Sequence, residues 1–289
     1  MSYDSSTTAE EVTRGLDLSG TTWLVTGVNS GLGHETARVL ALRGGRIVGL
    51  ARRKEKADAA LADLDAEGVG VACELSDLAS VREAVKTASS LGPYDGIIAN
   101  AGIMALPELQ QVHGVERQLF TNHVGHSLLV DGLVDQLTEN GRVVIVSSGA
   151  HFYADRGIEL DNVSGEDDYA PWRAYGRSKL ANILYARSLA ERFEGTGRTA
   201  NSLHPGVIRT NLARHIEDRD SMFEELKGIL KTVGAGAATQ VYLATHPDLA
   251  GVSGKYFSDC AEAEVKAPIA DGDAAALMAW TRDVAQKLG

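Results

Sequence analysis

The sequence predicts an α/β fold: a Rossmann-type, doubly wound parallel sheet with helices on both faces. Short β-rich runs recur with helical stretches between them along most of the 289 residues, the pattern of βαβ units feeding a parallel sheet. The runs are apolar throughout rather than alternating, as strands covered on both faces must be. Between the first run and the first helical stretch stands Thr26-Gly27-Val28-Asn29-Ser30-Gly31-Leu32-Gly33, where such folds place a phosphate-binding turn.

Residues 1–20 are polar and acidic and contain no apolar stretch, so they carry no readable signal peptide or membrane span. They read as an N-terminal arm, loosely ordered or packed at an edge, ahead of a single dinucleotide-binding and catalytic domain over 21–289; one core suffices for that length. Strands are expected at Trp23–Thr26, Arg46–Ala51, Val69–Glu74, Gly96–Asn100, Arg142–Ser148, Thr199–His204 and Lys255–Ser258. Helices are expected at Gly33–Arg43, Leu78–Ser89, Val115–Thr138 and Pro171–Phe193, the last starting at a first-turn proline behind the capping candidates Asp167 and Asp168. The stretch His151–Tyr169, rich in Asp, Glu and Gly, reads as a loop. Between Asn211 and Val233, Met222, Phe223, Leu226, Ile229, Leu230 and Val233 fall at helical spacing and predict an amphipathic segment, a candidate substrate lid.

Composition excludes several functions. The net charge of -11, with no block of Lys and Arg, argues against a nucleic-acid surface. Cys73 and Cys260 have no ligand or C-x-x-C spacing and read as free thiols in a reducing, cytoplasmic compartment. His123 and His126 are three apart, but no Cys or carboxylate completes a ligand set, so packing is the reading and no metal is expected.

Glycines in a strand-turn-helix let anionic oxygens approach the unpaired N–H groups of a helix N-terminus. About twenty residues on, where a carboxylate would select NAD, stands Ala51-Arg52-Arg53-Lys54; cations there favour the 2′-phosphate of NADP(H). Far downstream, Tyr175 and Lys179 are four apart and so share a helix face. An ammonium there is expected to lower the phenol pKa toward the range of a general acid/base. Ser148 closes a strand, where open α/β sheets bind ligands, and can share a carbonyl with Tyr175. Its neighbour Ser147 points to the opposite face. Together these residues read as a nicotinamide-dependent oxidoreductase.

Six ordered motifs make the resemblance specific: Thr26 to Gly33, Asn100-Ala101-Gly102, Asn122, Ser148, Tyr175 with Lys179, and Pro205-Gly206. On these the chain resembles the short-chain dehydrogenase/reductase family over nearly its whole length. Thr121-Asn122-His123-Val124-Gly125-His126, Ser202-Leu203-His204-Pro205-Gly206 and Ser253-Gly254-Lys255-Tyr256-Phe257-Ser258 are similar to its retinol-dehydrogenase-like branch. The resemblance implies that Ser148 polarises the carbonyl, Tyr175 exchanges the proton, Lys179 binds the nicotinamide ribose, and Asn122 holds a water linking Lys179 to solvent. It implies phosphate contacts at Gly27, Asn29, Ser30, Gly31, Leu32 and Gly33, with Ser30, Arg52 and Arg53 toward the 2′-phosphate. Asn100, Ala101 and Gly102 would lie beside the adenosine ribose, and Pro205, Ile208 and Thr210 would face the carboxamide. The family's adenine contact falls on an Asp; here Glu74 and Leu75 stand in its place, and the backbone contact is the one expected to persist.

The implied reaction is hydride transfer between NADP(H) and a hydrophobic aldehyde, ketone or retinoid- or steroid-like alcohol. Two rivals stand beside it: an alkene reductase of the protochlorophyllide-reductase type, and a non-catalytic NADP(H) sensor. Relatives in that family are commonly homodimers or homotetramers.

Overall fold

The computed structural model describes residues 3–64 and 66–288; the ends of the expected arm and domain, at Met1, Ser2 and Gly289, lie outside the described residues, as does Asp65. The first half runs α1 (Ala9–Val12), β1 (Thr22–Thr26), α2 (Gly31–Leu42), β2 (Arg46–Ala51), α3 (Lys54–Asp63), β3 (Gly68–Ala72), α4 (Leu78–Ala88) and β4 (Tyr94–Ala99). A two-residue hairpin, β5 (Gln111–Val112) and β6 (Val115–Glu116), leads into α5 (Arg117–Leu119), a π-helical turn at Phe120–Val124, α6 (Gly125–Leu133) and β7 (Leu137–Val146). Then follow α7 (Pro171–Arg192), β8 (Thr199–His204), β9 (Val207–Ile208), α8 (Arg219–Glu225), β10 (Leu230–Lys231), α9 (Val233–Thr245), β11 (Tyr256–Ser258), β12 (Ala261–Glu262) and α10 (Asp273–Lys287).

The main sheet has the order β12-β11-β8-β7-β4-β1-β2-β3. Its strands are parallel except β12, which turns back on β11. Connections run outward in both directions from β1, so a crevice opens beyond the carboxyl ends of β1 and β4, where chain direction reverses. The apolar runs explain this architecture. Trp23 and Val25 enter one hydrophobic cluster and Leu24 the other, and along β7 Val143 and Ile145 pack opposite Val144 and Val146. The central positions of these strands are therefore apolar on both faces, because both faces are covered.

The described residues ahead of β1 pack on helices α2 and α9. Thr8 and Glu11 form a reciprocal capping box at the start of α1, whose Ala9 and Val12 are buried against α2 and α9. Arg43 fastens this arm by donating to the Glu10 carbonyl and the Thr13 hydroxyl, each at 3.0 Å.

Four local expectations are corrected. The single helix expected over Val115–Thr138 is interrupted: His113 and Gly114, both at positive φ, turn the chain into the β5–β6 hairpin, the π turn follows, and β7 already begins at Leu137. The helical stripe expected over Asn211–Val233 breaks at Glu225, because Leu230–Lys231 pairs in parallel with Val207–Ile208. Neither Asp167 nor Asp168 caps α7; Ala170 is the N-cap and Pro171 opens the helix, while Asp168 pairs with Arg173 at 3.1 Å. The strand expected over Val69–Glu74 also ends earlier, at Ala72.

Candidate active site

The crevice begins at the turn between β1 and α2. Gly27 and Gly31 adopt φ of +71° and +56°, a region costly for residues with a Cβ. At Gly33 a Cβ would lie 2.3 Å from the Gly27 carbonyl oxygen, so α2 can approach β1 this closely only with glycine. Ser30 is the N-cap of α2 and its exposed hydroxyl caps nothing. Asn29 is exposed beside it. The turn is thus closed to side chains and open to phosphate oxygens, which fits a dinucleotide.

Thr26, at the end of β1, joins this turn to the rest of the site. Its Oγ1 accepts from the backbone N–H of both Asn100 and Ala101 at 2.9 Å. Both lone pairs are then used, so its proton goes to His126 Nε2 at 2.9 Å, and His126 carries its own proton on Nδ1 and donates to the Asn122 carbonyl at 3.0 Å. The Asn100 amide donates to the Thr26 carbonyl at 2.8 Å; its side chain therefore braces the loop. His123 meets Thr281 Oγ1 at 2.9 Å. Both histidines pack and hydrogen-bond, as the sequence reading has them.

Asn122 lies in the π turn, and its amide is fully engaged. Oδ1 accepts from Ile103 N–H while Nδ2 donates to the Ile103 carbonyl and to Ser178 Oγ, all at 2.9 Å. Ser178 in turn donates to the Tyr175 carbonyl at 2.7 Å. Through Ser178 the Asn122 amide braces the helical turn that carries Tyr175 and Lys179. Gly102 is drawn in beside them: a Cβ there would sit 3.0 Å from Asn122 Oδ1 and 3.6 Å from Lys179 Nζ.

On α7, Tyr175 and Lys179 are buried one turn apart, with Nζ 5.7 Å from the ring centroid. Nζ donates to the Val146 carbonyl at 2.9 Å. Ser147 faces away from Ser148 and donates to the Lys179 carbonyl at 2.7 Å, pinning the helix to the end of β7. Ser148 opens a 3-10 turn over Gly149–Tyr153 and accepts from Ala150 N–H at 3.1 Å. Two histidines clamp this turn: His151 Nδ1 donates to the Ser148 carbonyl at 2.7 Å, and His204 Nδ1 accepts from Gly149 N–H at 2.8 Å. Ser178 and His151 are supports that no motif singled out; only their polarity within largely apolar surroundings signalled them.

Beyond β2 a cavity of about 730 Å³ is lined by Asn29, Arg52, Arg53, Lys56 and Glu74, among others. Asp63 also lines it, Glu74 accepts from Ser76, Lys54 pairs with the neighbouring Asp58, and among the described residues Arg52, Arg53 and Lys56 form no ion pair. Arg52, Arg53 and Lys56 thus remain available to an anion. Leu75 is buried, and its carbonyl rests where a Cβ on Gly125 would stand. Across the crevice, Thr210 lies against Gly31, since a Cβ there would be 3.5 Å from Thr210 Cγ2. Pro205 is buried, and Ile208 joins β9 to β10. Of the apolar stripe beyond Thr210 only Phe223 is buried, beneath the Arg209 guanidinium at 4.9 Å.

A family model for short chain dehydrogenases matches residues 21–221. The chain belongs to that family. A short-chain dehydrogenase of Brassica napus, TIC 32 B, chloroplastic, is 39% identical, with 89% of this chain and 86% of that protein covered. Human retinol dehydrogenase 14 is also 39% identical, over 86% and 81%, in keeping with the retinol-dehydrogenase-like motifs. A crystal structure of an uncharacterised Mycobacterium paratuberculosis protein superposes with a TM-score of 0.74 at 31% identity, covering 95% of this chain and 97% of the other. As a short-chain dehydrogenase the protein is an NAD(P)-dependent oxidoreductase acting on a CH–OH/C=O pair.

The electrostatics of this short-chain dehydrogenase reverse one expectation. Burial pushes the Tyr175 phenol up to about 12, with the Ser148 hydroxyl drawing it back only in part. Burial also pulls the Lys179 ammonium down to about 7, so at neutral pH it carries only part of the charge that would acidify the phenol. Burial lowers His123 to about 3, and His126 and His204 to about 4. All three are therefore neutral in the fold.

An acid-labile fold follows. The unfolded chain takes up protons on these histidines below its ordinary value of about 6.5, and the native state does not. Stability is full above that value and falls by up to ~1.4 kcal/mol per pH unit per histidine as pH drops toward the folded values. Urea midpoints measured from about pH 7.5 to 4.5 are expected to decline steeply below about pH 6.5; a flat profile would show that these imidazoles are not held neutral.

Proposed function

We propose that the protein is an NADP(H)-dependent carbonyl reductase or alcohol dehydrogenase for hydrophobic aldehydes, ketones or alcohols, with Ser148, Tyr175 and Lys179 as its reacting set. The observation that carries this reading is the placement of Ser148 just beyond the carboxyl end of β7 while Tyr175 and Lys179 are buried one turn apart on α7, with Lys179 Nζ tied to the Val146 carbonyl at that strand end. When bound, the nicotinamide supplies or receives the hydride. The chain's own residues handle the oxygen and its proton. Ser148 Oγ already accepts from Ala150, so its own proton is free for a substrate oxygen. Tyr175 stays protonated at neutral pH and can donate to that oxygen as the alkoxide develops. Lys179 spends one N–H on Val146 and keeps the others for the nicotinamide ribose. Asn122 acts through Ser178 on the turn between them, as a positioning residue.

The preference for NADP(H) rests on Arg52, Arg53 and Lys56 beside the cavity beyond β2, with Asp58 and Glu74 engaged elsewhere. Glycines 27, 31 and 33 and Ser30 would hold the pyrophosphate, and Thr210, Ile208 and Pro205 the carboxamide end. Hydrophobic substrates are supported by Ile229 and Val233, which stay 60% and 36% exposed beyond Thr210. Both cysteines are free and buried, which supports a reducing, cytoplasmic setting. Among the described residues no helix is long and apolar enough to cross a membrane. A screen of NADPH oxidation over aldehydes, ketones and activated alkenes tests the reading and separates it from alkene reduction.

Replacing Arg52 and Arg53 together with Ala is expected to weaken NADPH selectively over NADH, since each charge-assisted contact to a phosphate contributes about 1.5–3 kcal/mol. Titration of both nucleotides measures it, and a wild type that prefers NADH removes the assignment.

Tyr175→Phe is expected to lower turnover by about 100-fold or more while NADPH still binds. Because the phenol keeps its proton to about 12, carbonyl reduction should be level from about pH 6 to 8 while alcohol oxidation, which needs the phenolate, climbs with pH. Near-normal reduction by the Phe variant would take Tyr175 out of the mechanism.

A further inference from the structure

The 3-10 turn opened by Ser148 also carries two exposed aromatic side chains, Phe152 at 48% and Tyr153 at 42%. Water-facing rings are costly, and these two are adjacent, with centroids 4.1 Å apart. The cluster continues inward. Tyr153 lies 5.7 Å from the partly buried Trp172, and Trp172 stands edge-on to Tyr175 at 6.2 Å. An unbroken row of π-surfaces thus leads from solvent to the phenol.

The fold is shaped to bring this row in. At Gly176, next to Tyr175, a Cβ would stand 2.6 Å from the Ala150 carbonyl oxygen and 3.0 Å from Tyr153 Cβ. Only glycine lets the aromatic turn seat against α7. His151 and His204 then hold that turn in place. Leu42, Ile229 and Val233, the other large exposed apolar residues described, are isolated from this row in sequence.

We propose that Phe152, Tyr153 and Trp172 form a platform that stacks a flat aromatic group of the substrate and so delivers its carbonyl carbon to Tyr175. The occupant is an aryl-bearing aldehyde, ketone or alcohol, because the row ends on the residue that handles the oxygen. Aromatic faces reward offset or edge-on contact with another ring beyond the area buried, so the platform discriminates a flat ring from a saturated ring of similar bulk. This inference rests on the carbonyl-reductase reading of the same site.

The test compares 3-phenylpropanal with 3-cyclohexylpropanal, whose carbonyls are equally reactive. The wild type is expected to favour the phenyl compound in kcat/KM by about tenfold, the effect of one or two ring contacts. Tyr153→Leu and Trp172→Leu should each erase most of that ratio, Trp172→Phe should restore it, and NADPH affinity and melting temperature should hold. Tyr153→Leu alters an exposed position, so a folding defect at Trp172 leaves the test intact. A ratio near one in wild type, or one untouched by the Leu variants, overturns the platform while aldehyde reduction itself stands. Unchanged ratios with a lost dimer would assign the patch to self-association and also overturn it. If wild type reduces neither aldehyde, the reductase reading fails separately; the platform is then read from tryptophan emission titrated with 3-phenylpropanol. Saturable quenching lost in Trp172→Leu supports it, and no quenching overturns it.

Discussion

At the Thr26 hydroxyl the two halves of the site are joined. It takes two backbone N–H groups from the loop after β4 and gives its proton to His126, whose other nitrogen reaches the Asn122 carbonyl. The phosphate turn follows Thr26 directly, and the Asn122 amide continues through Ser178 to the backbone of Tyr175. A displacement at the nucleotide end is therefore transmitted by directional bonds to the helix that carries the reacting groups. The network is buried and satisfied at each of these atoms, which makes it rigid, and it works only while His126 is neutral.

Burial sets the chemistry as well as the geometry. A phenol and an ammonium one turn apart are usually read as a pair in which the cation acidifies the phenol. Here both lie in an apolar interior, and desolvation outweighs their attraction: the phenol rises and the ammonium falls. At neutral pH the resting site is a proton donor beside an amine that is partly uncharged. Under the proposed function that state suits the reductive direction.

Much of this was legible in the sequence because strands covered on both faces must be apolar, and the glycine turn and the Tyr-x-x-x-Lys spacing are local. The element order, the crevice at the end of β1 and the placement of Ser148 with Tyr175 follow from those patterns. The departures have different sources: the positive-φ turn at His113 and Gly114 that interrupts the expected helix is local, whereas others come from contact between segments distant in sequence. The stripe from Met222 to Val233 fits a helix, yet Leu230–Lys231 is captured by Val207–Ile208. The bracing of Tyr175 by Asn122 through Ser178 likewise joins segments distant in sequence. The direction of the Tyr175 shift depends on how many apolar groups surround it, and spacing along one helix does not report that.

Charge is sorted in the same way as polarity. The chain bears a net charge of -11 and so repels an anionic nucleotide at long range. Its neutral interior offers no compensation, since the buried histidines and Lys179 are held away from their charged forms. The attraction is concentrated at one rim, where Arg52, Arg53 and Lys56 stand around the cavity beyond β2 and Asp58 and Glu74 are turned to other partners. Within about 10 Å, the screening distance at moderate salt, the local cations outweigh the distant acids. Under the proposed function an anionic nucleotide is attracted at that rim, and the neutral, desolvated end of the crevice around Tyr175 adds no net attraction of its own.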